Sequence, residues 1–159
     1  MKTFTITKVR TEEDLAVIKD LFIAYTKWLN IDLTYQNFQG ELAVLPGKYS
    51  SPGGELLLAR STTSNKPLGC VALRPLVAPA CAEMKRLYVT PEGRGTGVGK
   101  ALVKEIMAIA IESEYTKIKL DTLPHMEAAL GMYKSFGFVE CEKYYQTPME
   151  DTVFLNKEL

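Results

Sequence analysis

The chain has little of what metal or disulfide chemistry requires. It contains one histidine, His125, which excludes any centre needing two imidazole ligands. Its three cysteines, Cys70, Cys81 and Cys141, are odd in number and widely spaced. They match neither a disulfide framework nor a zinc pattern and read as ordinary buried thiols, so no metal is expected. No apolar run approaches the roughly 18–20 residues of a membrane span. The opening MKTFTITKVRTEEDL lacks the apolar segment of a signal peptide, and a cytoplasmic protein without membrane contact is expected. Charge of one sign is also missing, because 19 basic and 19 acidic side chains cancel. A nucleic-acid binder normally carries a basic excess, so nucleic acid is not an expected partner. Internal repeats, low-complexity stretches and linkers are absent too.

What remains is 159 residues with 47% hydrophobic content, enough for one domain around a real core (1–159). Thr3 to Val9 alternates like a half-buried strand. Thr11, followed by Glu12, Glu13 and Asp14, has the form of a helix N-cap with acid in the first turn, and apolar residues at helical spacing predict a helix over 12–28. A short helix is expected over 36–42 and a loop over 45–54. Strands are expected at 55–60 and 68–76, forming a hairpin, and at 82–89. A helix over 97–113 and a strand over 117–122 follow. Pro124 suits the first turn of a helix running to Phe136, with Gly137 as its C-cap. Strands at 138–142 and 151–157 close the chain. The strand–helix–strand unit over 82–122 makes its two strands parallel. The class is α/β: a mixed, mostly antiparallel sheet around one parallel pair, with helices on both faces.

The most informative stretch is GRGTGVGK, Gly93 to Lys100, between a strand and a helix. Alternating glycines allow positive φ and close approach to a ligand. The first amides of the next helix have no internal partners and, with the helix dipole, attract a pyrophosphate-like anion. A Walker A loop fails here, because Arg94 replaces its first glycine and Ala101 its hydroxyl residue. A dinucleotide-binding pattern fails as well, since its third glycine would fall at Val98 or Lys100.

Arg-x-x-Gly-x-Gly does fit, at Arg94, Gly97 and Gly99. With YKSFGF at Tyr133 to Phe138, the segment from about Leu56 to Phe138 resembles the GCN5-related N-acetyltransferase (GNAT) family. One departure is Met126, where family members often carry an asparagine that contacts the coenzyme. The resemblance implies acetyl-CoA as cosubstrate. It implies that the backbone of Arg94, Gly95, Thr96, Gly97, Val98, Gly99 and Lys100 holds the pyrophosphate. It also implies that the splayed strand at Leu87, Tyr88 and Val89 supplies amides to the thioester oxygen and the pantetheine arm.

Acetyl transfer to an amine needs a neutral nucleophile, a stabilised oxyanion and a protonated leaving thiolate. The resemblance makes Tyr133 the acid. It makes Glu83 the base, on a strand face that alternation would share with Lys85, Leu87 and Val89. Arg74 interrupts an apolar strand and can pair with a substrate carboxylate. Tyr25, Trp28 and Tyr49 come from the helix and loop that cover the acceptor in relatives, and Tyr144 and Tyr145 from the loop opposite. The expectation is direct acetyl transfer to a small, amino-acid-like amine. The alternatives are a coenzyme sensor without turnover and an acetyltransferase of protein N-termini or lysines. Relatives are often dimers, so the resemblance admits a homodimer.

Overall fold

The computed structural model describes residues 3–159. One sheet of seven strands runs in the order β1-β2-β3-β4-β5-β7-β6. Its strands are β1 (Phe4–Lys8), β2 (Glu55–Ser61), β3 (Pro67–Pro75), β4 (Cys81–Val89), β5 (Lys117–Thr122), β6 (Val139–Glu140) and β7 (Val153–Glu158). Helices α1 (Glu12–Leu29) and α2 (Phe38–Ala43) lie on one face. Helices α3 (Val98–Glu112) and α4 (Glu127–Ser135) lie on the other.

The central strands are buried on both faces, as their near-continuous apolar runs require. Leu56 and Leu58 of β2 join Ile18 and Phe22 of α1 in one core. Leu57 and Ala59, one residue out of phase, join Leu102 and Ile106 of α3 in the other. Helix α1 begins where the sequence indicates. Thr11 Oγ1 accepts from the Asp14 amide at 3.1 Å, and the acids at 12–14 sit at the positive end of the dipole. Asn30, in the left-handed region at φ 56°, ends it.

The parallel pair positions the site. β4 and β5 are paired only from Cys81↔Lys117 to Glu83↔Lys119. Beyond Glu83 the strands part, and β5 continues against β7 alone. The edge of β4 that faces β5 therefore has no ladder partner from Met84 onward, and a cleft opens there.

Several expectations need correction. The face shared by Glu83, Lys85, Leu87 and Val89 does not exist. Arg86 sits at φ 60° in a bulge, marked by the register shift opposite Cys70–Ala72. The extra residue inverts the alternation, so Leu87 and Val89 pack toward α3 while Tyr88 packs toward α1. Helix α4 starts at Glu127, not at Pro124, because the Met126 amide first closes a tight turn onto Leu123 O (3.0 Å). The expected helix over 36–42 is divided. Asn37 at φ 55° separates a 3-10 turn, Leu33–Gln36, from α2. The strand expected over 138–142 is paired only at Val139–Glu140, after which the chain leaves the edge as a loop.

Candidate active site

The cleft between β4 and β5 is lined by Met84, Lys85 and Leu87 on one side and by Leu120, Asp121 and Thr122 on the other. Tyr25 of α1 and Tyr133 of α4 also line it. Desolvation pushes the Tyr25 phenol up to about 12 and raises that of Tyr133 as well, so both stay protonated donors at neutral pH. Tyr133 is fixed edge-on against Phe138 (5.8 Å between centroids).

At one end of the cleft lies the glycine-rich turn. Gly95 and Gly97 have φ of 77° and 90°, values that penalise any side chain, and a Cβ at either would meet nothing within 4 Å. The glycines are therefore demanded by backbone shape, and the space above them is open. Gly97 caps α3 without a side-chain bond, leaving the Val98, Gly99 and Lys100 amides as the free N–H groups of a 15-residue helix. Arg94 donates from Nε to Val89 O (3.2 Å) and lies over the Trp28 ring at 5.4 Å.

At the other end a charged network crosses the sheet under α2 and the 141–152 loop. Glu83 is fully buried. One of its oxygens accepts from Arg74 Nε (2.7 Å) and the other from the Tyr144 hydroxyl (2.6 Å). The Arg86 fork grips Glu41 of α2 at 3.0 and 3.1 Å and stacks over Phe38. This pair, with Arg86 buried and Glu41 partly so, ties the bulge to α2. Lys85 Nζ donates to Gln36 Oε1 (3.0 Å). Burial, reinforced by Arg86, pulls its pKa down to about 8. Beside this network is a pocket of about 370 Å³ lined by Arg74, Tyr49, Gln36, Glu41 and Lys48. The Tyr49 hydroxyl is the one sealed side-chain polar atom without a hydrogen bond among the described residues.

A glycine turn over open space, a parted parallel strand pair and a tyrosine between them is an arrangement suited to a thioester cosubstrate. Comparison with known proteins agrees. The model of the acetyltransferase (GNAT) family matches residues 17–138. The chain belongs to the GNAT acetyltransferase family. An uncharacterized N-acetyltransferase of Schizosaccharomyces pombe is 42% identical over 98% of this chain and 94% of its own. Another, from Dictyostelium discoideum, is 32% identical over 95% and 97%. In fold, the chain resembles an acetyltransferase of Streptococcus agalactiae (TM-score 0.81, 22% identity, both chains covered fully) and a GNAT acetyltransferase of Staphylococcus aureus (TM-score 0.79, 20% identity, 98% of each). This GNAT chain is an N-acetyltransferase, and enzymes of its fold use acetyl-CoA.

Within the GNAT frame, the sequence-derived residues divide into two groups. Leu87 to Val89, Arg94 to Lys100 and Tyr133 gather along the cleft and its glycine-turn end. Glu83, Arg74 and Tyr49 gather at the opposite end. Trp28 lies tilted against Tyr88 (5.9 Å) and under Arg94 at the glycine turn. His125 is exposed in the turn before α4, and Met126 accepts a weak bond from Thr122 Oγ1 (3.6 Å). Among the described residues no helix is long and apolar enough to cross a membrane, and no His/Cys/Asp/Glu cluster could hold a metal. Sequence reasoning missed Asp121, Lys85, Gln36 and Glu41. The alternation of KIKLDT signals a half-buried strand, but nothing local says that its polar face meets a gap.

Proposed function

We propose that this enzyme transfers the acetyl group of acetyl-CoA directly to the amine of a small acceptor that also carries a carboxylate. The observation that carries the reading is the parting of β4 and β5 between an anion-attracting turn and a pocket bordered by Arg74. The free amides of Val98 to Lys100 bind the pyrophosphate. The unpaired edge of β4 around Leu87 to Val89 orients the thioester and stabilises its oxyanion. Tyr133, kept protonated by burial, donates to the departing thiolate. Arg74 engages Glu83 through Nε alone, so its two terminal nitrogens are available in the pocket. They suit a carboxylate, because a charge-assisted fork favours that shape.

The test is thiol release from acetyl-CoA with glycine, L-alanine, β-alanine and 4-aminobutyrate, each beside its amide. The acid forms should be preferred at least tenfold. Tyr49→Phe should leave that preference unchanged and raise unfolding stability by about 1 kcal/mol, because it removes a sealed, unsatisfied hydroxyl. Turnover only on peptide N-termini or lysines would remove the small-molecule reading. Tight coenzyme binding without any turnover would make the protein a sensor.

A further inference from the structure

Two carboxylates come near the reacting end of the cleft, and their surroundings differ. Glu83 has no free oxygen. Arg74 and Tyr144 occupy both, the side chain is fully buried, and it does not border the cleft. Asp121 lies on the same face of the sheet one strand over, just past the last β4–β5 pair at Glu83↔Lys119, and does border the cleft. Its Oδ2 is held by the Tyr145 hydroxyl at 2.7 Å. Among the described residues no donor is bonded to Oδ1. Nor is Oδ1 a sealed atom, since Tyr49 Oη alone has that status. A carboxylate fixed through one oxygen and open through the other, across the cleft from Lys85 and bordering the same space as Tyr133, is placed to meet an incoming ammonium.

We propose that Asp121 is the catalytic residue that takes the proton from the acceptor amine, with Glu83 confined to positioning Arg74 and Tyr144. The inference rests on the acetyltransferase reading above. An ammonium reaching Asp121 gives a proton to Oδ1 and becomes nucleophilic. Its lone pair forms the N–C bond to the acetyl carbonyl as the C–S bond breaks. Of the two protons the nitrogen gives up, one ends on the thiol sulfur, by way of Tyr133. The other rests on Asp121 until it returns to solvent.

The electrostatics suit this role. Desolvation raises the Asp121 pKa, while Lys85, the Tyr145 bond and Arg86 pull it back and Glu83 pushes it further up. The phenols of Tyr25 from α1, Tyr133 from α4 and Tyr144 from the loop also face it, neutral at working pH. A carboxylate whose pKa is moved upward is a better base than an exposed one.

The experiment uses the full chain, acetyl-CoA and whichever of the four amino acids named above wild type turns over fastest. Asp121→Asn should lower kcat by about 100-fold or more, leave coenzyme affinity by calorimetry unchanged, and abolish the acid limb of the kcat–pH profile. Tyr145→Phe removes a bond that favours the carboxylate, so it should move that limb to higher pH. This arm holds even if Asp121→Asn fails to fold. Glu83→Gln removes a charge that pushes Asp121 up, so it should move the limb to lower pH without abolishing it. The proposal is overturned by an Asp121→Asn enzyme with the wild-type rate and profile, by a limb that Tyr145→Phe does not move, or by its loss in Glu83→Gln. A wild type inert toward all four amines, or unable to bind acetyl-CoA, overturns the underlying reading instead.

Discussion

Lys85 carries its ammonium into a place with little water, and one hydrogen bond to Gln36 does not replace a hydration shell. Its pKa is drawn from 10.5 to about 8 by burial first and by Arg86 second. Below pH 8 both the folded and the unfolded states are protonated, and the folded state bears the whole cost, at most about 3 kcal/mol for a shift of this size. As pH rises from 8 toward 10.5 the folded protein releases the proton first, so this contribution makes stability rise with pH. Cys70, pushed up to about 12 by burial, and the buried phenols act in the opposite sense at higher pH. Comparing wild type with Lys85→Met cancels them. Urea unfolding of the two proteins between pH 7.5 and 10 should show wild type gaining on the variant by about 1–3 kcal/mol; parallel curves would mean that Lys85 titrates normally. Candidate positions defined by a backbone pattern were legible in sequence, because the spacings of Arg94, Gly97 and Gly99 at the turn, and of Tyr133 before Gly137, are local. Asp121 and Lys85 were not. Their roles depend on where two strands stop pairing, and on an inserted residue at Arg86 that LYV and EMK do not announce.

At the scale of elements, the glycine turn and the helix it opens form one device. Gly97 is needed for its φ of 90° and not for lack of room. Gly97→Ala should therefore fold with a cost of about 1 kcal/mol, and should place a methyl in the open space where an anion would rest. Calorimetric titration with coenzyme A should show affinity lower by about tenfold, equivalent to about 1.4 kcal/mol. Gly131→Ala is the control. It lies in α4 with open space about it and no positive φ, so it should stabilise the helix by up to about 1 kcal/mol and leave that affinity alone. Equal affinity in Gly97→Ala would detach the turn from coenzyme binding. Most elements could be read from the sequence because periodicity and caps are local: Thr11 caps α1 as its side chain requires, and the 117–122 strand has the expected ends. The misplaced start of α4 shows the limit. Pro124 is compatible with a first helical turn and equally with the tight turn that precedes one, and only the Met126–Leu123 bond decides between them.

Across the whole molecule, α1 links the two ends of the cleft. Tyr25 and Trp28 are three residues apart and so lie on one face of the helix, with Tyr88 of β4 against both at 6.3 and 5.9 Å. Tyr25 borders the space where β4 and β5 part, and Trp28 reaches Arg94 at the glycine turn. On the proposed reading, the sheet presents an acceptor end under α2 and the 141–152 loop, and a coenzyme end under the last turn of α1. Trp28 is 47% exposed and is the only tryptophan in the chain, so its emission reports on the glycine-turn end alone. An anion bound by the amides after Gly97 attracts the Arg94 guanidinium, which changes the cation over the indole and the water around it. Titrating coenzyme A should therefore alter Trp28 emission saturably, with the same midpoint that calorimetry gives. The acceptor amino acid alone should leave the emission unchanged, because its pocket lies at the far end of the cleft, by Arg74 and Tyr49. Calorimetric binding without an optical response would place the coenzyme away from α1. A response to the acceptor alone would mean that the two ends are not separate.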